Sequence, residues 1–181
     1  LSGEAKERVY LVNEGGRKLS QLNWKYNNAP IIKGNLDWDF MPWVSFGASG
    51  WTTLTSKDGH MDDYDWDGDP DQGKWTDHST HPNTRLNYAN QFDLNLKGWI
   101  VNEPDYRLGL MAGYQQSAFR WTSKGGSYTY DNGADIGEFD SDERGIGYSQ
   151  TFKLPYIGII GLYRYKKWEV SGAFKLSNWG R

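Results

Sequence analysis

A two-residue alternation of apolar and polar side chains runs through residues 22–40. The even positions read Leu22, Trp24, Tyr26, Asn28, Pro30, Ile32, Gly34, Leu36, Trp38 and Phe40, while the odd positions are mostly Asn, Lys and Asp. A period of two predicts a β-strand with one apolar face. A strand of 19 residues would extend roughly 60 Å at about 3.3 Å per residue, whereas a usual strand has about five or six residues. This length favours a tall transmembrane barrel over a soluble antiparallel sandwich.

The same alternation recurs along the chain, and the connections between alternating segments differ in length. The alternation is clear in 85–100, 106–121 and 144–163, and weaker in 1–11, 43–54 and 168–178. Short connections at 40–43, 102–106 and 165–168 alternate strictly with longer ones at 12–18, 55–84 and 122–143. Short turns at one end and long loops at the other are typical of outer-membrane barrels. The predicted fold class is therefore all-β, an antiparallel, transmembrane, up-and-down β-barrel with about seven strands in this chain.

The strand count indicates that the barrel is incomplete. Single-chain bacterial barrels have even strand numbers, and an open sheet edge cannot face lipid because its backbone groups would lack hydrogen-bond partners. We therefore expect residues 1–181 to be one β-barrel domain that lacks strands after Arg181 and part of the first strand before Leu1. A soluble eight-stranded ligand carrier is the alternative fold, but its outward face should be polar.

Composition supports the barrel and excludes several classes of protein. Ten Trp, 12 Tyr and seven Phe occur in a chain with 37% hydrophobic residues and a mean hydropathy of −0.80, a balance that suits aromatic girdles better than a soluble core. There is no cysteine, so disulfides and thiolate zinc sites are excluded. The net charge of −3 argues against a nucleic-acid partner. No apolar run approaches the length of a transmembrane helix.

The segment 60–71, HMDDYDWDGDPD, is rich in aspartate and has three interpretations. It is a solvated acidic loop, or a calcium loop with Asp63, Asp65 and Asp67 as ligands and Gly68 at the turn. Lys74 would then stand where a bidentate Glu is needed, and no flanking helices are predicted. The third interpretation is a catalytic carboxylate pair that shares a proton.

Three histidines, His60, His78 and His81, lie near the aspartates. They show no zinc-binding spacing on a helix, and no metal site is predicted.

Several longer stretches resemble the omptins, a family of outer-membrane endopeptidases of enteric bacteria that includes the plasminogen-activator type. They are MDDYDW, WTDHSTHP, LNYANQFDLNLKGW, NEPDYRLGLMAGYQ, GGSYTY and PYIGIIGLYRY, and the similarity runs nearly from end to end. The resemblance implies a ten-stranded barrel in the bacterial outer membrane with its active site at the extracellular rim. It also implies that Asp63 and Asp65 face an Asp–His pair and activate water with it. That pair would follow Arg181, and His60, His78 and His81 do not match it.

The resemblance also implies partners. Substrates would be peptides or proteins cleaved at bonds flanked by basic residues, with Glu7 and Asp77 among the acids that hold the basic side chains. Without the resemblance, Glu7 is a charge at a solvated strand end and Asp77 a turn residue.

The family requires lipopolysaccharide, here an expected activating lipid contacted by Tyr114 and Arg120, and no other cofactor is expected. The chain departs from the family pattern at Gln116, Ala118 and Thr151, where the family has Glu, Arg and Arg. Because of these departures and the missing Asp–His pair, a non-enzymatic adhesin or scaffold barrel is an alternative, as is a barrel with a calcium-stabilised acidic loop.

Overall fold

The computed structural model describes residues 1–68 and 73–178, and these form an antiparallel β structure. The strands are β1 (Gly3–Leu11), β2 (Arg17–Tyr26), β3 (Ile31–Met41), β4 (Val44–Thr53), β5 (Lys57–Asp65), β6 (Asp77–Asn102), β7 (Tyr106–Tyr130), β8 (Asp135–Tyr165) and β9 (Trp168–Leu176). Short 3-10 turns occupy Val12–Glu14 and Asp131–Gly133. Within this part of the chain no helix is long and apolar enough to cross a membrane.

The strands form one sheet in the order β1-β2-β5-β6-β7-β8-β9, with β3 paired to β4 and β4 also paired to β6. The all-β antiparallel prediction is therefore confirmed. Three strands are long, with 26 residues in β6, 25 in β7 and 31 in β8. The structure has nine strands where seven were predicted, because β2 and β3 divide the segment 22–40 that the alternation treated as one strand, and β5 lies in the segment 55–84 that was predicted as a loop.

The prediction of a single strand over 22–40 is wrong. The extended chain breaks at 27–30, where Asn28 has a left-handed φ of 56° and Pro30 has no backbone N–H to donate. The sequence period continues across the break, but the burial of the even positions changes. Trp24 on β2 is fully buried, whereas Trp38 on β3 is 61% exposed.

Two predicted long loops are also mostly strand. The segment predicted as a loop over 55–84 contains β5 and the first part of β6, so the true connection is 66–76. The predicted loop over 122–143 contains the end of β7 and the start of β8, joined through the short turn at Asp131–Gly133. Asp63 and Asp65 therefore lie in a strand. Asp69 and Asp71 of the acidic run fall outside the described residues.

The chain divides into two compact units. Unit 1 comprises 1–30, 53–88 and 119–149, and unit 2 comprises 31–52, 89–118 and 150–181. Unit 1 has an aromatic core in which Trp24 packs against Trp121 with ring centroids 5.7 Å apart, and Trp121 against Tyr26 at 5.2 Å. Met61 and Leu86 are also fully buried there.

Unit 2 has charged residues buried and apolar residues exposed. Asp93 is 3% exposed, accepts a hydrogen bond of 2.8 Å from the Tyr156 hydroxyl and lies 2.6 Å from Lys175 Nζ. The exposed apolar side chains include Leu36, Trp38, Leu94, Leu96, Leu108, Leu110, Ile157, Ile159, Val170 and Phe174. This distribution is the one expected for the membrane-spanning part of a barrel. It excludes the soluble ligand carrier, whose outward face would be polar.

We expect Tyr156→Phe to destabilise unit 2 by about 1.5–3 kcal/mol, because Asp93 loses a neutral hydrogen-bond donor and keeps its buried charge. Unfolding by denaturant in detergent measures this change. Tyr163→Phe is the matched control, because Tyr163 lies on the same strand and is 54% exposed. Equal stability of the two variants would contradict the importance of the buried hydrogen bond.

Candidate active site

Asp63 and Asp65 share one face of β5, because alternate residues of a strand point the same way. Strand β5 pairs with β2 on one side and with β6 on the other. The register places Asp63 between Leu22 and Ser79, and Asp65 between Ser20 and Asp77. On β1, Glu7 lies opposite Leu22. We call this side of β1, β2, β5 and β6 the acidic face.

The two aspartates on the acidic face have elevated pKa values. Burial raises the pKa of Asp63 to about 6, and the charges of Asp65 and Glu7 add to the effect. Ser20 opposes it, with its Oγ 3.3 Å from Asp63 Oδ1. Burial also raises the pKa of Asp65, with the charges of Asp77 and Asp67 contributing. Carboxylates that ionise at higher pH than usual can exchange a proton with a bound water near neutral pH.

The Asp77 carboxylate anchors the turn after β7. Its Oδ1 accepts a 3.0 Å hydrogen bond from the Asp131 backbone N–H, and its Oδ2 accepts a 2.6 Å bond from the Thr76 hydroxyl. The backbone N–H of Asn132 donates to the Thr76 carbonyl at 2.9 Å. These bonds hold the end of β7 beside the start of β6. These hydrogen bonds support the interpretation of Asp77 as a turn residue. A role of Asp77 in holding substrate stays a prediction.

Tyr130 is the last residue of β7, directly before that anchored turn, and it contacts the acidic face. Its hydroxyl shares a hydrogen bond with Ser79, and its ring stacks on Tyr128 at 4.6 Å. Burial, the charge of Asp63 and the charge of Asp65 raise the pKa of Tyr130, so its hydroxyl stays protonated at neutral pH. Ser20, Ser79 and Tyr130 were not predicted as site residues from the sequence. The alternation that starts at Leu22, extended back by one step, would have placed Ser20 on the same face.

His81 lies on the acidic face in the row of Trp24 and Met61. It is 2% exposed, and burial lowers its pKa. In the neutral ring Nδ1–H donates to the Gly125 carbonyl, and Nε2, 3.0 Å from the Ser79 hydroxyl, accepts from it. Both ring nitrogens are thus committed to structural hydrogen bonds, and His81 is not a free base.

His60 and His78 lie on the opposite face of the sheet. His60 Nε2 is 3.1 Å and His78 Nε2 is 3.5 Å from Asp62 Oδ1. The His78 ring stacks on Tyr64 with centroids 4.4 Å apart. Asp62 and the two histidines therefore form a cluster that faces away from Asp63.

The calcium interpretation does not fit the backbone. Asp63 and Asp65 are in an extended, paired strand, whereas a calcium loop of this spacing wraps its ligands around the ion. Asp67 follows the strand and is exposed. Over 1–68 and 73–178 no group of three or more acidic or histidine side chains is arranged to hold a metal ion.

The other predicted site residues are placed as follows. Glu7 is half-buried on the acidic face, and among the described residues its carboxylate has no ion-pair partner. Tyr114 donates a 3.1 Å hydrogen bond to Gln116 and lies beside Phe92 in unit 2. Arg120 is exposed and belongs to unit 1.

Comparisons with known proteins point in one direction. The profile of the Omptin family matches residues 1–181. "Protease 7" of Escherichia coli (strain K12) is 60% identical, with 99% of this chain and 58% of that protein covered. "Outer membrane protease IcsP" of Shigella flexneri is 53% identical, with 99% and 58% covered. "Plasminogen activator" of Yersinia pestis is 49% identical, with 100% and 57% covered.

A solved structure agrees with these matches. The crystal structure of outer membrane protease OmpT from Escherichia coli matches with a TM-score of 0.91 at 60% identity, covering 99% of this chain and 62% of that chain. The chain thus spans less than two thirds of the length of each of these relatives.

We expect Asp63→Asn to stabilise the folded protein at pH 7.5 by about 1–2 kcal/mol, allowing for partial solvent screening. Because folding raises the pKa of Asp63 to about 6, the folded state binds this proton more tightly than the unfolded state. The contribution of Asp63 to stability is therefore present at low pH and lost as pH rises through about 6. Unfolding measured at pH 4 and pH 7.5 should show a gain only at the higher pH. The exposed Asp135→Asn serves as control, and a gain of equal size at both pH values would refute the shift.

Proposed function

The chain belongs to the omptin family, and from this membership we propose that the full-length protein is an endopeptidase that cleaves peptide bonds flanked by basic residues. Its location is the outer membrane, as the relatives named outer membrane proteases and the matching structure indicate. The active site faces the cell exterior. The observation that carries the proposal is the pair of half-buried carboxylates with raised pKa values, Asp63 and Asp65, on the acidic face.

The carboxylate pair is suited to bind and polarise a water molecule. The Asp63–Asp65 pair accepts a hydrogen bond from one O–H of the water, which leaves the second O–H for the group that takes its proton and an oxygen lone pair directed at the substrate carbonyl. As that carbonyl becomes tetrahedral, a carboxyl that still carries a proton can donate it to the developing negative charge. Ser20 fixes Asp63 from the neighbouring strand, which keeps the pair aligned.

A second group must take the proton that the water loses on attack. The resemblance predicts a histidine, oriented by an aspartate, from a later segment of the protein. His81 does not fill this role, because both of its nitrogens are occupied. His60 and His78 do not fill it either, because they lie on the opposite face with Asp62.

The charge of the acidic face supports a preference for basic substrates. Glu7, Asp63 and Asp65 have no ion-pair partner within the described ranges. Nearby cations are engaged elsewhere, since Lys18 lies 3.4 Å from the centroid of the Trp66 ring and Arg17 pairs with Glu14 at 2.9 Å. Uncompensated carboxylates in a partly buried site attract cationic side chains.

Lipopolysaccharide as an activating lipid is part of the proposal. Tyr114 and Arg120 are the side chains that would contact it, and the half-buried ring and the exposed guanidinium are of types that suit a lipid headgroup. The altered residues at Gln116, Ala118 and Thr151 leave these two as the supporting contacts.

We expect the double substitution Asp63→Ala, Asp65→Ala in the full-length protein to lower kcat/KM for a dibasic peptide about a hundredfold to ten-thousandfold, because the pair positions the water. Hydrolysis of a fluorogenic peptide in detergent micelles containing lipopolysaccharide measures it. Asp62→Asn is the matched control on the same strand with its side chain on the other face. Unchanged cleavage by the double variant would remove Asp63 and Asp65 from the mechanism.

We expect Glu7→Gln to raise KM for the same peptide by roughly fivefold, with kcat little changed, because about 1 kcal/mol of attraction for a basic side chain is lost. Glu4→Gln is the control, since Glu4 lies on the same strand and pairs with Lys6 at 3.5 Å. A loss confined to kcat would show that Glu7 acts on the chemical step and not on binding.

A further inference from the structure

Tyr148 on β8 ends the row of aromatic rings in the core of unit 1. Its ring is stacked on Trp24 with centroids 5.6 Å apart and an interplanar angle of 10°, which is an offset parallel stack. Trp24 is fully buried and contacts Trp121 on its other side. Tyr148 itself is half-buried. One face of Tyr148 is therefore fixed against the core, and the orientation of the ring is set by that contact.

Strand β8 is held in place next to Tyr148. The Ser123 hydroxyl accepts a 3.2 Å hydrogen bond from the Ile146 backbone N–H, and Ser123 is fully buried on β7. The backbone two residues before Tyr148 is thus tied to the neighbouring strand. The position of the Tyr148 ring is therefore fixed by two contacts, the hydrogen bond between Ile146 and Ser123 and the stack on Trp24.

The charge of Glu7 acts on Tyr148. Besides burial, the charge of Glu7 raises the pKa of Tyr148, and the same charge acts on Asp63. Trp24 is opposite Ala5, two residues before Glu7 on the same face of β1. Glu7 lies opposite Leu22, one position along the same face from the Ala5–Trp24 pair, and among the described residues it has no ion-pair partner.

We propose that Tyr148 is a specificity-determining residue, whose ring and the Glu7 carboxylate together form a slot for a flat, delocalised cation and so favour arginine over lysine in the substrate. The inference rests on the proposed endopeptidase function and deepens it. A guanidinium group is planar, stacks on aromatic faces, binds a carboxylate through two parallel hydrogen bonds and is weakly hydrated. An ammonium group is a compact, strongly hydrated point charge that gains less from a flat ring.

The test compares two peptides that differ only in arginine or lysine at the residue before the cleaved bond. Wild-type full-length protein should cleave the arginine peptide with a kcat/KM larger by about two- to thirtyfold. Tyr148→Phe keeps the ring and should keep this ratio. Tyr148→Leu removes the ring and should bring the ratio close to one, mainly through a higher KM for the arginine peptide. Equal losses on both peptides would assign Tyr148 a purely structural role and overturn the proposal.

A measurement on the wild type keeps the slot testable if Tyr148→Leu does not fold or if no peptide is cleaved. Alkylguanidines and alkylamines of equal chain length are titrated while tryptophan fluorescence is followed. Tighter binding of the guanidines supports the slot, and equal affinities overturn it. Because this assay needs no hydrolysis, tighter guanidine binding without peptide cleavage would reject the proposed function and retain the slot. Peptide cleavage together with equal affinities for guanidines and amines would retain the proposed function and reject the slot.

Discussion

The register between β2, β5 and β6 is the constraint on which the acidic face depends. In a paired strand successive side chains point to opposite faces, so a shift of one residue exchanges the two faces completely. In the observed register Asp63 and Asp65 lie with Ser20 and Ser79, while Asp62 and Tyr64 lie with His60 and His78. A shift of one residue on β5 would place Asp62 in the site and Asp63 on the face of His78. The core of unit 1 prevents this shift, because Met61 is fully buried on the same face as Asp63.

Unit 2 stabilises its strands by a different distribution of side chains. Its buried positions include one member of each of two ion pairs, Arg107 with the exposed Asp39 at 2.9 Å and Asp93 with the exposed Lys175 at 2.6 Å. Such a pair contributes little net stability, because desolvation of the buried member offsets the attraction, but removing the partner of the buried charge is costly. Exposed apolar side chains on the other face would be unfavourable in water and suit lipid. Unit 2 is thus suited to a bilayer, whereas the core of unit 1 is aromatic and apolar.

The difference between the units explains which predictions succeeded. The fold class could be predicted because any strand with one polar and one apolar face shows alternation in its sequence. Strands β6 to β8 show this alternation over the long segments that belong to unit 2. The predicted loops at 55–84 and 122–143 failed because the strand ends there are polar on both faces, as DSDERG in β8 shows. Gly125 and Gly126 lie in the predicted loop 122–143. The strand runs through both with positive φ, and a Cβ at Gly126 would clash with the Thr80 carbonyl oxygen.

The residues of the candidate site could also be predicted only in part from the sequence. The family resemblance predicted Asp63 and Asp65 because both lie in the matched stretch MDDYDW, and it predicted Glu7 by its position on the first strand. Ser20, Tyr130 and Tyr148 could not, since their roles arise from contacts between residues far apart in sequence. No local pattern records that Tyr148 stacks on Trp24, or that Ser20 reaches Asp63 across a strand pair.

The acidic face has a stability cost that the proposed substrate would offset. Burial, followed by the like charges of Asp65 and Glu7, raises the pKa of Asp63 because each disfavours the ionised form, and this cost falls on the folded protein at neutral pH. A cationic side chain bound between Glu7 and Tyr148 would supply the missing positive charge. By linkage, its binding must lower the pKa of Asp63 and release a proton where Asp63 is still protonated. Under the proposed function, the acid that would recognise the substrate and the acid that would hold the water are therefore coupled through their charges, and a bound basic side chain would favour the ionised form of Asp63.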